Sequence, residues 1–405
     1  MLKKGWCLML CELISHSDDL KKLWDEGHAM EILQGFLCVH DVPYVNSNKE
    51  VRRGTLVSTL NLAAPDQTAV PETHVIYFIG NYPCDSEGLP IRPLFHSTAD
   101  QELIAGVLKV NHSFSNKPTN GFANYYEKVT SYIRVISHPA KALDENVTEK
   151  TFQIIEPREI DSVFEYADTN SSRAEINPIT AKLAGQKIAI VGLGGTGSYL
   201  LDLIAKTPVQ EIHLYDGDNL LQHNAFRAPG AVSKDTLGER LKKTEYYARV
   251  YKSMHKNIFP HSFYLDGSNL NELINKDFIF VSMDASSDKK EIVEFLVQNA
   301  KSFIDTGVGV EEIEGALIGK VRITTASPIK NDHISSRLSF VENKADNYDR
   351  NIQIADLNSL SATLAVIKWK KLLGFYREHE SEFNTTHSVY TNETTNEDIA
   401  ASVRH

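Results

Sequence analysis

From Ala184 onward, apolar residues fall into short β-branched runs separated by longer stretches with helical spacing. The order is KIAIVGLG, a helix through SYLLDLIAKT, EIHLYDGD, a long helix over 237–255, FIFVSMD, a helix over 288–300 and KSFIDTGVGV. Strands alternating with helices in this way predict a parallel sheet covered on both faces. A last helix is predicted from about Gln353 to Tyr376, with Leu357, Leu360, Leu364, Ile367 and Leu372 near one stripe. Beyond Glu380 the chain turns polar and Thr/Asn-rich, and a mobile tail is predicted.

The first part of the chain has a different rhythm. Runs such as RRGTLVSTLNL and THVIYFIG, broken by the turn-forming NYPCDSEGLP, predict an α+β domain. A helix is predicted over Leu103 to Leu108 and a longer one through GFANYYEKVTSYIRVI, followed by an exposed connector at KALDENVTEKTF. The charged, Asn/Ser-containing stretch ending at Pro178 reads as a boundary. The predicted organisation is a smaller N-terminal α+β domain over 1–150, a linker over 151–178, a Rossmann-like α/β domain over 179–380 and a flexible tail over 381–405.

Composition narrows the partners. Apolar residues make up 42% and charged residues 23%, an ordinary globular balance that allows each domain a core. The net charge of −11 argues against nucleic acid, since binding a phosphate backbone needs clustered Lys and Arg. The four cysteines all precede residue 85 and form no CxxC pair, which fits neither a disulfide scaffold nor a zinc ribbon and points to a reducing cytoplasm. The opening MLKKGWCLMLCELI is interrupted by Glu12 and lacks a cleavage motif, so no signal peptide is expected. No run reaches the length of a membrane helix.

The sharpest local feature is GLGGTG, in which Gly192, Gly194 and Gly197 give GxGxxG after a strand and at a helix start, with Gly195 between them. Small residues there let a phosphate approach the backbone at a helix N-terminus. Such a loop is commonly a nicotinamide site, and Asp216 stands where an acid would hold a ribose. The next residues depart from that pattern, because Asp216, Asp218, Asn224 and Arg227 fall within twelve positions past the second strand. A ribose-holding Asp, a neutral Asn for phosphate or carboxylate oxygens and an Arg fork suit a nucleoside triphosphate better than nicotinamide.

The combination of GLGGTG (192–197), DGD (216–218), NAFR (224–227), Lys243 and Asp284 resembles the ThiF/MoeB/ubiquitin-activating-enzyme superfamily over roughly residues 172–376. That resemblance implies an adenylyltransferase. It would use ATP and Mg²⁺ to activate the C-terminal carboxylate of a ubiquitin-like or sulfur-carrier protein ending in Gly, releasing pyrophosphate. It further implies that Asp216 holds the ribose, that Asn224, Arg227 and Lys243 contact the phosphates, and that Asp284 binds magnesium. Arg173 would reach into a partner's site in a homodimer. The zinc-binding CxxC pairs of the family are absent, and no cysteine follows Cys84, so any thioester would involve the N-terminal domain or another protein. The Arg227–Lys243 spacing runs a few residues long, which leaves Lys242 and Arg240 as alternatives to Lys243.

Each residue also has a plainer reading. Asp218 and Asn224 suit turns, Lys243 a solvated helix face, and Asp284 a helix N-cap that Ser286 or Ser287 would fill equally well. Cys84, in NYPCDSEG, is either a nucleophile in a polar turn or an inert, partly buried thiol. His40, His96, His112 and His138 lack metal-ligand spacing. The pairing of the two domains resembles proteins of bacterial ubiquitin-like modification operons. The N-terminal domain would then recognise the modifier, dock a conjugating-enzyme-like protein, or be a degenerate conjugating-enzyme-like fold. Two other readings remain open: adenylation of a peptide or tRNA base, and a non-catalytic module that holds a nucleotide or a protein tail.

Overall fold

The computed structural model describes residues 13–64, 66–104, 106–155, 162–174, 176–340 and 352–400. It divides into two compact units, one made of Met1–Asp161 with Tyr166–Ala181, the other of Ser162–Glu165 with Lys182–His405. The stretch expected to be a linker is thus shared between them. Residues 162–165 join the second unit through backbone bonds from Glu165 to Met254 and from Lys256 to Val163.

The first unit opens with helix α1 (Asp18–Asp25) and strands β1 (Met30–Leu33), β2 (Phe36–Val45) and β3 (Val51–Thr59). A short hairpin, β4 (Leu62–Ala64) and β5 (Gln67–Thr68), precedes β6 (Val75–Ile79), β7 (Phe95–Ile104) and β8 (Leu108–Ser115). Six of these strands form an antiparallel sheet in the order β1-β2-β3-β6-β8-β7. Helix α2 (Tyr125–Leu143) packs on the sheet, with Asn124 capping its first turn by accepting from the Glu127 amide at 2.9 Å. Its buried Tyr125 and Tyr132 give apolar bulk to the core, while their hydroxyls meet the Asn61 and Asn116 amides, each at 2.7 Å. The helix expected over Leu103 to Leu108 is instead the turn between β7 and β8. Gly106 takes φ +67° there, and the apolar residues on either side pair across the strands rather than stacking along a helix. The unit ends with two short helices, α3 (Thr169–Arg173) and α4 (Asn177–Thr180).

The second unit is the predicted α/β sheet. Its elements are β9 (Lys187–Val191), α5 (Gly195–Ile204), β10 (Glu211–Tyr215), α6 (Gln222–Ala225), α7 (Lys234–Gly238), α8 (Lys243–Tyr251) and β11 (Ile258–His261). They continue with β12 (Phe278–Val281), α9 (Ser287–Gln298), β13 (Ser302–Ile313), β14 (Ala316–Ala326), α10 (Ile334–Arg337), α11 (Ala355–Leu372), β15 (Asn384–Ser388) and β16 (Glu393–Glu397). The order is β11-β10-β9-β12-β13-β14-β15-β16, parallel through β13 and antiparallel beyond it. One face buries Ile188, Ile190, Leu200, Leu214 and Trp369, and the other Val191, Ile279, Ile292 and Leu296, so helices cover both sides.

Three expectations change. The single helix over 237–255 is two shorter ones, α7 and α8, parted by Arg240 at φ +53°. In α11 the fully covered positions are Ser361, Ala362, Ala365 and Trp369, while Leu360, Leu364 and Leu372 are only partly buried. Small residues on the inner side let α11 come close to α5, which leaves the longer leucines along the margin of the contact. The predicted flexible tail is a hairpin: β15 pairs with β14 and β16 with β15. Its Thr-rich sequence lacks apolar alternation, yet β-branched Thr suits a strand and the edge of β14 supplies the backbone partners.

Candidate functional site

A cleft of about 420 Å³ opens at the carboxyl ends of the parallel strands, the place where open α/β sheets take ligands. Gly192, Gly194, Gly195, Asp216, Asp218, Arg227, Lys243 and Asp284 all line it. Gly197 and Asn224 do not, and their roles are structural. A Cβ on Gly197 would lie 1.9 Å from the Gly192 carbonyl oxygen, so only glycine lets the helix start this close to the strand. Gly192 itself has φ +87°, and a side chain there would strike the Ser282 carbonyl at 2.2 Å. Asn224 is buried, and its Oδ1 accepts the Leu221 amide at 2.8 Å, closing the single turn of α6.

Asp216 and Asp218 form a connected acidic edge. Asp216 is buried and accepts the Leu193 amide at 2.7 Å and the Asp218 amide at 2.8 Å, so it braces the glycine loop from beneath. Lys243 is buried at the start of α8, with its ammonium 2.6 Å from Asp218 and 3.4 Å from Asp216. Burial would push the Asp218 carboxyl up, but hydrogen bonds from Lys243 and Tyr264 outweigh it and hold the group below its usual range. The same contact with Asp218, aided by burial, pushes the Tyr264 phenol up to about 12. Lys242 turns the other way and donates to the Gly217 carbonyl at 2.7 Å, and it is Lys243 that faces the cleft.

Arg227 also lines the cleft, and its Nε is buried without a hydrogen-bond partner. An arginine beside a glycine loop with its Nε unsatisfied suits an anion. Asp284 follows β12, and the N-cap of α9 is Ser286, which accepts the Lys289 amide at 3.1 Å. The N-cap position is therefore Ser286 and not Asp284. Asp288, in the first turn of α9, lines the cleft as well. Among the described residues, no group of three or more His, Cys, Asp or Glu is placed to hold a metal ion. Two carboxylates beside a phosphate site still suit magnesium, which usually takes one or two protein carboxylates, waters and substrate phosphates.

Several lining residues had no clear signal in the sequence. Asn358 of α11 is buried; it accepts from the Thr196 hydroxyl at 3.3 Å and donates to the Arg227 carbonyl at 3.2 Å, tying the glycine loop and the segment that carries Arg227 to the last helix. Lys289, Asp305 and Arg322 make an ion-pair cluster on the far wall. In the sequence Lys289 is indistinguishable from an ordinary helix lysine, and Arg322 from any polar strand position. Asp305, in FIDTG on the next strand, was the one legible hint.

Of the other singled-out residues, Arg173 closes α3, and its side chain lies outside the described residues. Cys84 is buried, its amide bonded to the Val45 carbonyl at 2.7 Å and its thiol directed at the Tyr82 carbonyl. Burial, then the nearby Asp85, pushes that thiol up, the opposite of an activated nucleophile. No helix among the described residues is long and apolar enough to cross a membrane.

A strand-to-helix glycine loop, acids at the end of the neighbouring strand and basic side chains around one cleft define an open α/β domain of the nucleotide-binding class. The chain belongs to the ThiF family, matched over residues 177–399. Residues 18–169 match a domain of unknown function, DUF6791. Among curated proteins, the tRNA threonylcarbamoyladenosine dehydratase of Haemophilus influenzae is 23% identical over 177 residues, which cover 42% of this chain and 65% of that protein. Among solved structures, E. coli MccB with ATP matches 58% of this chain and 70% of its own at 21% identity and a TM-score of 0.44. The E. coli tRNA N6-threonylcarbamoyladenosine dehydratase TcdA with AMP matches 51% of this chain and 92% of its own, at 17% identity and a TM-score of 0.39.

Proposed function

We propose that this chain adenylates the C-terminal carboxylate of a ubiquitin-like or sulfur-carrier protein ending in Gly, using ATP and releasing pyrophosphate. The observation that carries the reading is the buried, unpartnered Nε of Arg227 in the same cleft as the glycine loop, Lys243, Asp284 and Asp288. Carboxylate attack on a phosphoryl group brings two anions together and demands cations and positioning rather than acid–base help.

In this reading Asp216 holds the ribose, the loop amides and Arg227 take phosphate oxygens, and Lys243 moves from its carboxylates onto phosphate when nucleotide enters. Asp284 and Asp288 would hold magnesium, which when bound offsets phosphate charge and orients the pyrophosphate. As part of the same proposal, the chain acts as a cytoplasmic homodimer in which Arg173 reaches the partner's site.

A second reading keeps adenylation and changes the acceptor to a peptide or tRNA base. The Haemophilus influenzae relative favours it. The net charge of −11 weighs against a tRNA partner.

The test is ATP–pyrophosphate exchange with a candidate partner ending in Gly, comparing the wild type with Asp284→Ala and Lys243→Ala. Exchange that disappears in both variants supports the reading. ATP binding without exchange for any acceptor would move the assignment to a non-catalytic nucleotide-holding module.

A further inference from the structure

The far wall of the cleft carries charge that nucleotide binding does not explain. Asp305 on β13 is fully buried, with the Lys289 ammonium 2.6 Å from one carboxylate oxygen and the Arg322 guanidinium 2.6 Å from the other. Two cations share one anion, which leaves these three groups with a net charge of +1. Lys289 also donates to the Met283 carbonyl at 3.1 Å, and Arg322 Nη1 to the Arg337 carbonyl at 2.5 Å. Arg322 Nε has no such partner although it is buried. Burying a charged donor without a partner is costly, so this guanidinium gains from an anion that reaches its exposed part.

The Arg322 side chain as a whole keeps 27% of its surface exposed and lines the cleft. Gly307 faces Arg322 across the β13–β14 register, and even a Cβ there would come within 3.1 Å of Nη2. Lys289, Gly307 and Arg322 all line the cleft that holds the glycine loop.

Sheet order gives the cleft a direction. Asp216 lies at the end of β10, the glycine loop follows β9, Asp284 follows β12, Asp305 sits on β13 and Arg322 on β14. Arg322 is three strands from the loop, about 14 Å at the ~4.8 Å spacing of paired strands. The acids suited to ribose and the Arg322 cluster therefore lie on opposite sides of the phosphate loop.

We propose that the Arg322 guanidinium binds the acceptor's terminal carboxylate where it lines the cleft, and that Asp305 and Lys289 are the positioning residues that hold it there. This inference rests on the adenylation reading. One carboxylate oxygen would sit on Arg322 while the other forms a bond to the α-phosphorus. The bond from that phosphorus to the α–β bridging oxygen breaks, and its electron pair leaves with pyrophosphate. The carboxylate is already ionised, so no proton moves. The positive wall offsets the repulsion between the incoming anion and the triphosphate, a need that a neutral nucleophile would not create.

The test uses the full chain with a non-hydrolysable ATP analogue bound and a fluorescent short peptide ending in Gly-Gly, with its terminus either free or amidated. The wild type is expected to prefer the free carboxylate by at least about tenfold, the scale of one charge-assisted hydrogen bond. Arg322→Gln and Arg322→Lys are expected to cut that preference to about twofold or less while the affinity for the analogue stays within about twofold. Arg322→Lys keeps a cation against Asp305 and so guards against loss of fold. A wild type without carboxylate preference, absence of peptide binding included, overturns the proposal, as does a preference that survives in either variant. Failure of the wild type to bind the ATP analogue would overturn the adenylation reading instead.

Discussion

Lys243 links the stability of the site to its chemistry, and Lys243→Met separates the two by keeping most of the side chain's length while removing its charge. In the folded chain Lys243 and Asp216 are both buried, with side chains 7% and 6% exposed, whereas Asp218 is 51% exposed. Breaking a buried ion pair costs about 3–5 kcal/mol when the remaining charge is left uncompensated. Asp216 keeps two backbone amide donors after the substitution, and the half-exposed Asp218 is partly screened by water. We therefore expect a loss of about 2 kcal/mol, the scale of one hydrogen bond to a charged group. For a unit of this size that is a fall of about 4–8 °C in the transition that reports the second unit.

The loss should depend on pH in a defined direction. The Asp218 carboxyl titrates lower when folded, so its contribution is present above the ordinary carboxylate value of 3.8 and fades as pH falls through the depressed folded value. Thermal unfolding of the wild type and Lys243→Met at pH 7 and near the acid limit of folding measures this. An unchanged midpoint at pH 7, or a difference that persists undiminished in acid, would refute the reasoning. The double-mutant cycle with Asp218→Asn isolates the pair, and its coupling should vanish at the acid end.

Two further outcomes follow from single contacts. Gly197→Ala places a methyl group 1.9 Å from the Gly192 carbonyl and should raise the Kd for ATP by at least about tenfold, read by calorimetric titration. A change under about twofold would show that the loop does not need its tight turn. Cys84, with a buried thiol whose pKa is raised, should be alkylated at neutral pH at least about tenfold more slowly in the native chain than in guanidinium, as mapped by peptide mass spectrometry. Native and denatured rates that agree would restore the nucleophile reading.

How much of this was legible in the sequence depended on range. The alternation of apolar runs and helical stretches after Ala184 was enough for the parallel sheet, because each run reports its own burial on both faces. GLGGTG, Asp216 and Arg227 were legible because the first strand, the tight turn and the next strand are close in sequence, and local spacing decides which residues reach the sheet edge. Short-range pattern misled at Leu103 to Leu108, where a φ of +67° at Gly106 makes a strand turn from residues that also suit a helix. It misled again after Glu380, where polar Thr-rich segments became strands because β14 offered an unpaired edge.

Only the tertiary structure decided what faces the cleft. Asn224 carries the spacing of a ligand-binding residue, but its amide closes a helical turn. Asn358, Lys289 and Arg322 come from α11, α9 and β14, and nothing in their own neighbourhoods distinguishes them from ordinary helix or strand residues. The sequence by itself determined the strands, the glycine turn and the acids at its rim, since these follow from local backbone geometry and burial. The pairing of Lys243 with two carboxylates, and of Asp305 with two cations, arises only when helices α8 and α9 pack against the sheet and β14 folds back along β13.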